Sequence, residues 1–245
     1  MTPDQYCQDK TAQSGSSFYY SFLFLPPERR RAITALYAFC REVDDVVDEG
    51  HDAGVARAKL AWWRSEIASI PQGAAQHPVT QALTPVVAHF HLPLELLQEI
   101  IDGMEMDLTQ NRYADFPALE RYCYRVAAAV GLLSAEIFGY RNRETLKYAH
   151  DLGLAFQLTN LIRDVGEDAR RGRIYLPQDE LARFGVSDTD ILQGRETEAF
   201  RRLMEFQIER TQAYYAQAVS ALPREDRPAQ RPGLIMAAIY QTLLD

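Results

Sequence analysis

The sequence has few cysteines and no long apolar run. Its three cysteines, Cys7, Cys40 and Cys123, follow no metal-binding spacing. An odd number of cysteines with no secretory start is typical of reduced thiols in the cytosol, and the polar first ten residues lack a signal-peptide core. No stretch reaches the roughly 18 uninterrupted apolar residues that a membrane span needs. We therefore expect a cytoplasmic chain without a transmembrane helix.

Basic charge is also scarce. The chain of 245 residues carries a net charge of −8 and has a pI near 5.2, which argues against a nucleic-acid-binding surface. The densest basic stretch, residues 163–173, is interleaved with Asp164, Glu167 and Asp168. That mixture suits an anionic substrate held together with a metal ion better than a polymer backbone.

No convincing alternation of apolar and polar residues predicts strands, whereas helical periodicity runs through most of the chain. The hydrophobic content of 47% is enough for a sizeable core. The breaks near 71–78 and 222–232 show no change in composition, so we predict one all-α domain over 1–245. Helices are expected at about 27–49, 53–69, 79–90, 93–109, 117–138, 143–169 and 195–221, followed by a last helix still running at 245.

Two acidic segments place carboxylates four residues apart inside helical sequence. Asp44 and Asp48 form one pair, and Asp164 and Asp168 form the other. Residues at i and i+4 lie on the same helix face, so each pair repels itself unless a cation lies between. Carboxylate oxygens suit Mg²⁺, which binds proteins through a few carboxylates together with substrate phosphates. The two segments therefore predict a site for a diphosphate held by Mg²⁺.

The residues around both segments place the acids at the edge of a core. In each helix a polar stripe adjoins an apolar stripe, which indicates a cavity lining rather than a face in bulk solvent. A solvated acidic face is the alternative for either segment alone, but an Arg or amide one turn away in both segments argues against it. The polar stripes are Tyr37, Arg41, Asp44 and Asp48, and Gln157, Asn160, Asp164 and Asp168.

The longer motifs around these acids resemble the squalene/phytoene synthase family. They are YAFCREVDDVVD at residues 37–48 and QLTNLIRDVGEDARRGRIYLP at residues 157–177, with supporting likeness at 16–18 and 122–131. Residues 16–20, 22–31 and 102–108 are most similar to the branch that makes presqualene diphosphate in bacterial hopanoid pathways. The resemblance implies an isoprenoid synthase helical bundle around a central cavity, with a further helix beyond residue 245.

The resemblance also implies roles for individual residues. Tyr37, Arg41 and the four aspartates form the implied catalytic set. The implied Mg²⁺ ligands are Asp44, Asp48, Asn160, Asp164 and Asp168. The implied diphosphate contacts are Ser17, Arg41 and Arg163, and the implied contacts near the reacting carbons are Phe18, Tyr37, Tyr122 and Gln157. Tyr175 is expected to help close the site.

The implied reaction is the Mg²⁺-dependent head-to-head condensation of two farnesyl diphosphates to presqualene diphosphate, without NADPH. Phytoene synthesis from two C20 substrates is the first alternative. A non-catalytic helical protein that binds isoprenoid diphosphates is the second alternative. A degenerate relative should have lost an aspartate from one motif, whereas this chain keeps all four. A terpene cyclase that uses one substrate is a third alternative, and it is less favoured because such enzymes use a different second metal motif. The aromatic segment 18–25 could either pack inside the protein or contact the inner face of a membrane, and the sequence does not decide between the two. Downstream hopanoid enzymes are the expected partners.

Overall fold

The computed structural model describes residues 1–15, 17–48 and 52–244, with the side chains of 17–19 left out. Within those ranges the chain is helical and contains no strand, which confirms the predicted all-α class. The helices are α1 Pro3–Gln13, α2 Ser17–Phe22, α3 Pro27–Asp48, α4 Ala53–Ser69, α5 Pro78–Phe90, α6 Leu94–Asp107, α7 Phe116–Cys123, α8 Ala129–Phe138, α9 Glu144–Arg163, α10 Val165–Arg170, α11 Gln178–Phe184, α12 Asp188–Leu192, α13 Glu198–Ala221 and α14 Arg231–Gln241.

Four helices form the centre of the bundle: α3, α6, α8 and α9. One face of α3 is fully buried through Leu36, Phe39 and Val43, which belong to the main hydrophobic core together with Leu83 of α5 and Ile100 of α6. Because burial of each such side chain stabilises the fold by about 1.5–3 kcal/mol, this face fixes α3 firmly. The neighbouring face of α3 is left to line a cavity.

Outer helices support this centre. The N-terminal helix α1 packs on α3 and α5, while α13 packs along α9. Helix α1 begins with a capping box, in which the Thr2 hydroxyl accepts from the Gln5 amide at 3.2 Å and the Gln5 side chain accepts from the Thr2 amide at 3.0 Å. The Asp52 carboxylate caps α4, and the His77 ring caps α5. These caps explain why the helices begin where they do.

Three predicted helices differ from the structure in detail. The helix predicted over 143–169 is interrupted at Asp164, whose φ of −98° and ψ of 8° separate α9 from α10. The last helix ends at Gln241 instead of continuing. The helix predicted from 117 to 138 contains a π-helical turn at Tyr124–Ala128, where one extra residue per turn is accommodated. Helices α1, α2, α11 and α12 were not predicted at all.

A search of the described helices for a membrane span found none of sufficient length and apolar character.

Candidate active site

A cavity of about 890 Å³ lies between α3, α6, α8, α9 and α14. Its lining is graded along the helices. On α3 the lining residues run from Ile33, which is apolar, to Asp48. On α9 they run from Tyr148 to Arg163, with Asp164 directly after the helix. The carboxylates therefore gather at one end, and the rest of the cavity is mainly apolar. Such a cavity suits a molecule with a charged head and a long hydrocarbon tail.

The first acidic segment is organised by Arg41. One guanidinium nitrogen lies 2.6 Å from Asp44 Oδ2, and another lies 3.1 Å from Asp45 Oδ1. Burial raises the pKa of Asp44 to about 6; Arg41 opposes this rise, and the carboxylates of Asp48 and Asp45 add to it. The net rise means that Arg41 does not fully compensate the buried negative charge, so further positive charge would stabilise this end of the cavity.

In the second acidic segment, too, nearby arginines do not fully compensate the buried negative charge. Arg163 makes two hydrogen bonds to Asp164, each 2.7 Å long. Burial, followed by repulsion from Asp164, raises the pKa of Asp168 to about 6, although Arg173 and Arg171 lower it. The backbone break at Asp164 does not separate the two acids, because the Asp168 amide still donates to the Asp164 carbonyl at 2.9 Å.

The two acidic segments face each other across the mouth of the cavity. Arg171, which follows α10, places a guanidinium nitrogen 3.5 Å from Asp48 Oδ1 at the end of α3, and Arg173 lies 3.9 Å from the same oxygen. Residues from the two segments are thus within contact distance although they are more than a hundred positions apart in sequence. The opposed arrangement places both pairs of acids around one space.

A further acid lies outside the two acidic segments. It is Asp107 at the end of α6, to which the sequence analysis gave no role. Its carboxylate accepts hydrogen bonds from the hydroxyls of Tyr122 at 2.9 Å and Tyr175 at 2.8 Å. Burial raises the pKa of Asp107 despite these two donors and the nearby Arg173. Burial and the Asp107 charge also raise the pKa of both tyrosines. The two hydroxyls therefore remain protonated donors at neutral pH.

The lining has an excess of negative charge. Among the described residues, six carboxylates and four guanidinium groups line the cavity: Asp44, Asp48, Asp107, Asp164, Glu167 and Asp168, against Arg41, Arg163, Arg171 and Arg173. Asn160 Oδ1 is buried and accepts no hydrogen bond from the part of the chain that the structure describes, which is costly for a carbonyl oxygen. An excess of carboxylates with an unpaired amide oxygen is a donor set that fits a hard divalent cation.

The side chains as placed do not form a ready metal site. Among the described residues, no three His, Cys, Asp or Glu side chains lie close enough together to hold a metal ion. The reason is visible in the contacts, because Asp44, Asp164 and Asp48 each pair with an arginine. The assignment of metal ligands from the sequence therefore stays a prediction.

The structure brings most of the predicted site residues to this one cavity. Its lining includes Tyr37, Arg41, Asp44, Asp48, Tyr122, Gln157, Asn160, Arg163, Asp164, Asp168 and Tyr175. The predicted Ser17 and Phe18 belong to α2, but their side chains lie outside the described part of the chain. Besides Asp107, the analysis of the sequence assigned no role to Arg171 or Arg173, although the basic stretch 163–173 pointed to them.

Helical packing around a cavity with two opposed acidic segments defines the class as an isoprenoid synthase fold. Residues 11–245 match the family described as squalene/phytoene synthase, and the chain belongs to that family. In structure it is similar to the squalene synthase HpnC from Alicyclobacillus acidocaldarius, with a TM-score of 0.89 and 28% identity over 99% of this chain and 91% of that one. It is also similar to a dehydrosqualene synthase in complex with ligand, with a TM-score of 0.87 and 29% identity over 98% and 83% of the two chains.

Curated relatives are similar in sequence. The chain is 38% identical to the chloroplastic phytoene synthase of Narcissus pseudonarcissus over 98% of this chain and 58% of that one. It is 37% identical to the 15-cis-phytoene synthase of Synechococcus elongatus over 98% and 82% of the two chains. The chain thus spans about 58–60% of the length of the plant relatives from Narcissus, Zea mays and an Oncidium hybrid.

Proposed function

We propose that this chain condenses two molecules of farnesyl diphosphate head to head, in the presence of Mg²⁺, to form presqualene diphosphate. The observation that carries the proposal is the graded cavity, which has opposed carboxylate pairs and arginines at one end and an apolar lining beyond them. Membership of the squalene/phytoene synthase family supports the reaction class. We infer a cytoplasmic role in hopanoid or squalene biosynthesis, with downstream enzymes of such a pathway as partners.

In this proposal, Arg41 and Arg163 bind the diphosphate of the first substrate and stabilise the negative charge that develops as it leaves. The carboxylates of both segments, together with Asn160, would hold Mg²⁺, which when bound supplies Lewis-acid neutralisation of the diphosphate. The double bond of the second farnesyl group attacks the allylic cation, and loss of a proton closes a cyclopropane. The Tyr37 ring lines the cavity and is suited to stabilise the cation through its π face.

The proton must leave the reacting carbon without a phenolate base. Tyr122 and Tyr175 both donate to Asp107, and their raised pKa keeps them protonated. We therefore infer that these hydroxyls orient the substrate, while the released diphosphate accepts the proton. Since no step of this reaction transfers a hydride, we expect no dependence on NADPH.

Phytoene synthesis from two C20 diphosphates is the second candidate, favoured by the phytoene synthases among the curated relatives. One assay separates the candidates: purified protein with Mg²⁺ and either farnesyl or geranylgeranyl diphosphate, with and without NADPH. Products are identified by mass before and after phosphatase treatment. A C30 diphosphate formed from farnesyl diphosphate both with and without NADPH supports the proposal. Squalene formed only with NADPH, or phytoene formed from the C20 substrate, contradicts it.

We also propose peripheral contact with a membrane. Tyr20 in α2, and Leu23 and Phe24 just after it, are exposed large apolar residues. They are followed in the sequence by Arg29, Arg30 and Arg31. Apolar side chains next to basic ones suit an anionic lipid surface. Flotation with vesicles that contain anionic lipid tests this contact, and a Leu23→Ser/Phe24→Ser variant that floats as well as wild type would contradict it.

A further inference from the structure

Tyr148, near the start of α9, is a cavity residue to which no role has been given so far. Its side chain is only 1% exposed and lines the cavity. Its hydroxyl is buried and has no hydrogen-bond partner among the described residues. The cost of burying an unpaired hydroxyl is about 1–3 kcal/mol, so a site that needed packing alone would be served better by phenylalanine.

Tyr148 lies at the apolar end of the cavity, far from the acids. Sixteen residues separate it from Asp164, and at the rise of an α-helix this corresponds to about 24 Å along α9. Helix α14 runs in the same direction from the apolar end to the acidic end of the cavity. Its Gly233 contacts Tyr148, whereas its Tyr240, two turns later, interacts with Arg163. A tail that starts at a diphosphate held by Arg163 therefore runs towards Tyr148.

The hydroxyl of Tyr148 is the part of the side chain that reaches α14. A Cβ placed on Gly233 would lie 2.6 Å from the Tyr148 hydroxyl oxygen, 3.6 Å from the ring carbon that carries it and 3.3 Å from Leu152 Cδ2. Only a residue without a side chain allows α14 to approach this closely. The tyrosine and the glycine therefore pack closely against each other at this end of the cavity.

We propose that Tyr148, seated against Gly233, is the end stop for the prenyl tail and selects C15 over C20 substrates. This inference rests on the proposed function and adds the residue that sets the chain length. A C20 tail is one isoprene unit longer, and the phenol ring occupies the space which that unit would need. Removal of the ring opens the end of the cavity towards α14.

The test measures competition between farnesyl and geranylgeranyl diphosphate at equal concentration with Mg²⁺, and products are quantified by mass. Tyr148→Ala should raise the ratio of C20-derived to C15-derived product about tenfold or more, as expected for relief of a clash with several methylene groups. Tyr148→Phe, which removes only the hydroxyl, should give a smaller rise in the same direction. An unchanged ratio in a folded Tyr148→Ala variant would overturn the proposal.

Leu83→Ala is the matched control for loosened packing. Leu83 is fully buried on α5, and no described residue of α5 lines the cavity. This variant should lose stability and keep the wild-type product ratio, and an equal shift in the control would overturn the proposal.

A second measurement tests this inference independently of whether the proposed reaction occurs. Unreactive C15 and C20 thiodiphosphates should raise the melting temperature of wild type unequally, with the larger rise for C15, and Tyr148→Ala should remove that difference even if wild type condenses neither substrate.

Discussion

The ammonium nitrogen of Lys10 lies 2.7 Å from Asp45 Oδ2, on the carboxylate whose other oxygen contacts Arg41. Lys10 also lies 3.3 Å from Glu42, which accepts a hydrogen bond from Tyr6 at 2.7 Å. The N-terminal helix thus contributes a positive charge directly behind the first acidic segment. This charge would leave Asp45 less dependent on Arg41, and under the proposed function Arg41 would then be freer to bind diphosphate.

Lys10→Gln should therefore raise the KM for the allylic diphosphate about two- to fivefold, the size expected of a partly exposed ion pair, with kcat nearly unchanged. Asp45→Asn added to Lys10→Gln should restore the KM, because the carboxylate that holds Arg41 is then neutral. Steady-state kinetics of the single and double variants measure this. Lys59→Gln, on the exposed surface of α4, is the control, and failure of Asp45→Asn to restore the KM would leave only a structural role for Lys10.

Asp44→Asn and Asp164→Asn should each lower turnover at least about a hundredfold, comparable to the loss of a group that stabilises transition-state charge. The helical fold should persist, because both side chains line the cavity rather than the core. In EDTA the melting temperature of each variant should equal or exceed that of wild type, since each change removes one repulsive charge. Activity assays and circular dichroism melts test both points, with Asp9→Asn on exposed α1 as the control. Near-normal turnover in either variant would exclude its assignment as a metal ligand.

The metal-free protein should lose stability as the pH rises through the range from about 4 to 6. Asp44 and Asp168 have a pKa of about 6 in the folded state, against about 3.9 when unfolded. Between these values the folded state binds more protons than the unfolded state, so the free energy of unfolding falls with rising pH. Asp168→Asn removes one of the two groups. Its melting temperature in EDTA, relative to wild type, should thus be higher at pH 7.5 than at pH 4.5, and a constant difference would argue against the raised pKa.

Gly233→Ala should destabilise the protein by about 1–3 kcal/mol, the usual cost of overpacking, because the new methyl group would meet the Tyr148 hydroxyl. Tyr148→Phe alone should be neutral or stabilising, since it removes a buried hydroxyl without a partner. In the double variant the clash with oxygen is absent, and alanine gains about 1 kcal/mol over glycine in a helix. Chemical denaturation of wild type, the two single variants and the double variant should therefore give strongly non-additive changes in the free energy of unfolding. Additive changes would show that the close contact does not contribute to stability.

The sequence predicted the central helices and the acidic pairs because both are local patterns. The stripes around Asp44 and Asp164 repeat at helical spacing, so their neighbours on the cavity wall could be read directly. Helix α1 was missed because its apolar stripe is nearly absent: Cys7 and Thr11 are its only buried residues. Its place on α3 comes from ion pairs and packing that no local pattern encodes.

Asp107 and the break at Asp164 escaped prediction for a different reason. Asp107 shares its helix with Asp102 and Glu105, and the spacing of these acids does not set it apart. Tyr122 and Tyr175, which donate hydrogen bonds to it, come from distant positions. The sequence around Asp164 favours helix on both sides, so only the packed structure identifies the residue at which the axis changes. Tertiary contacts override local propensity in such places.

The π-helical turn at Tyr124–Ala128 has a consequence for the alignment of two distant side chains. It rests on Gly103 of α6, where an added Cβ would lie 2.7 Å from Val126 Cγ1 and 2.9 Å from Arg125 Cβ. Asp107 follows Gly103 by one turn on the same helix, and Tyr122 lies two residues before the start of the π-helical segment. The contact between the two backbones therefore acts as a spacer that sets the axial offset of the carboxylate relative to the phenol. A bulkier residue at position 103 would misalign this hydrogen bond without altering either partner, and so a glycine outside the cavity lining governs the geometry within it.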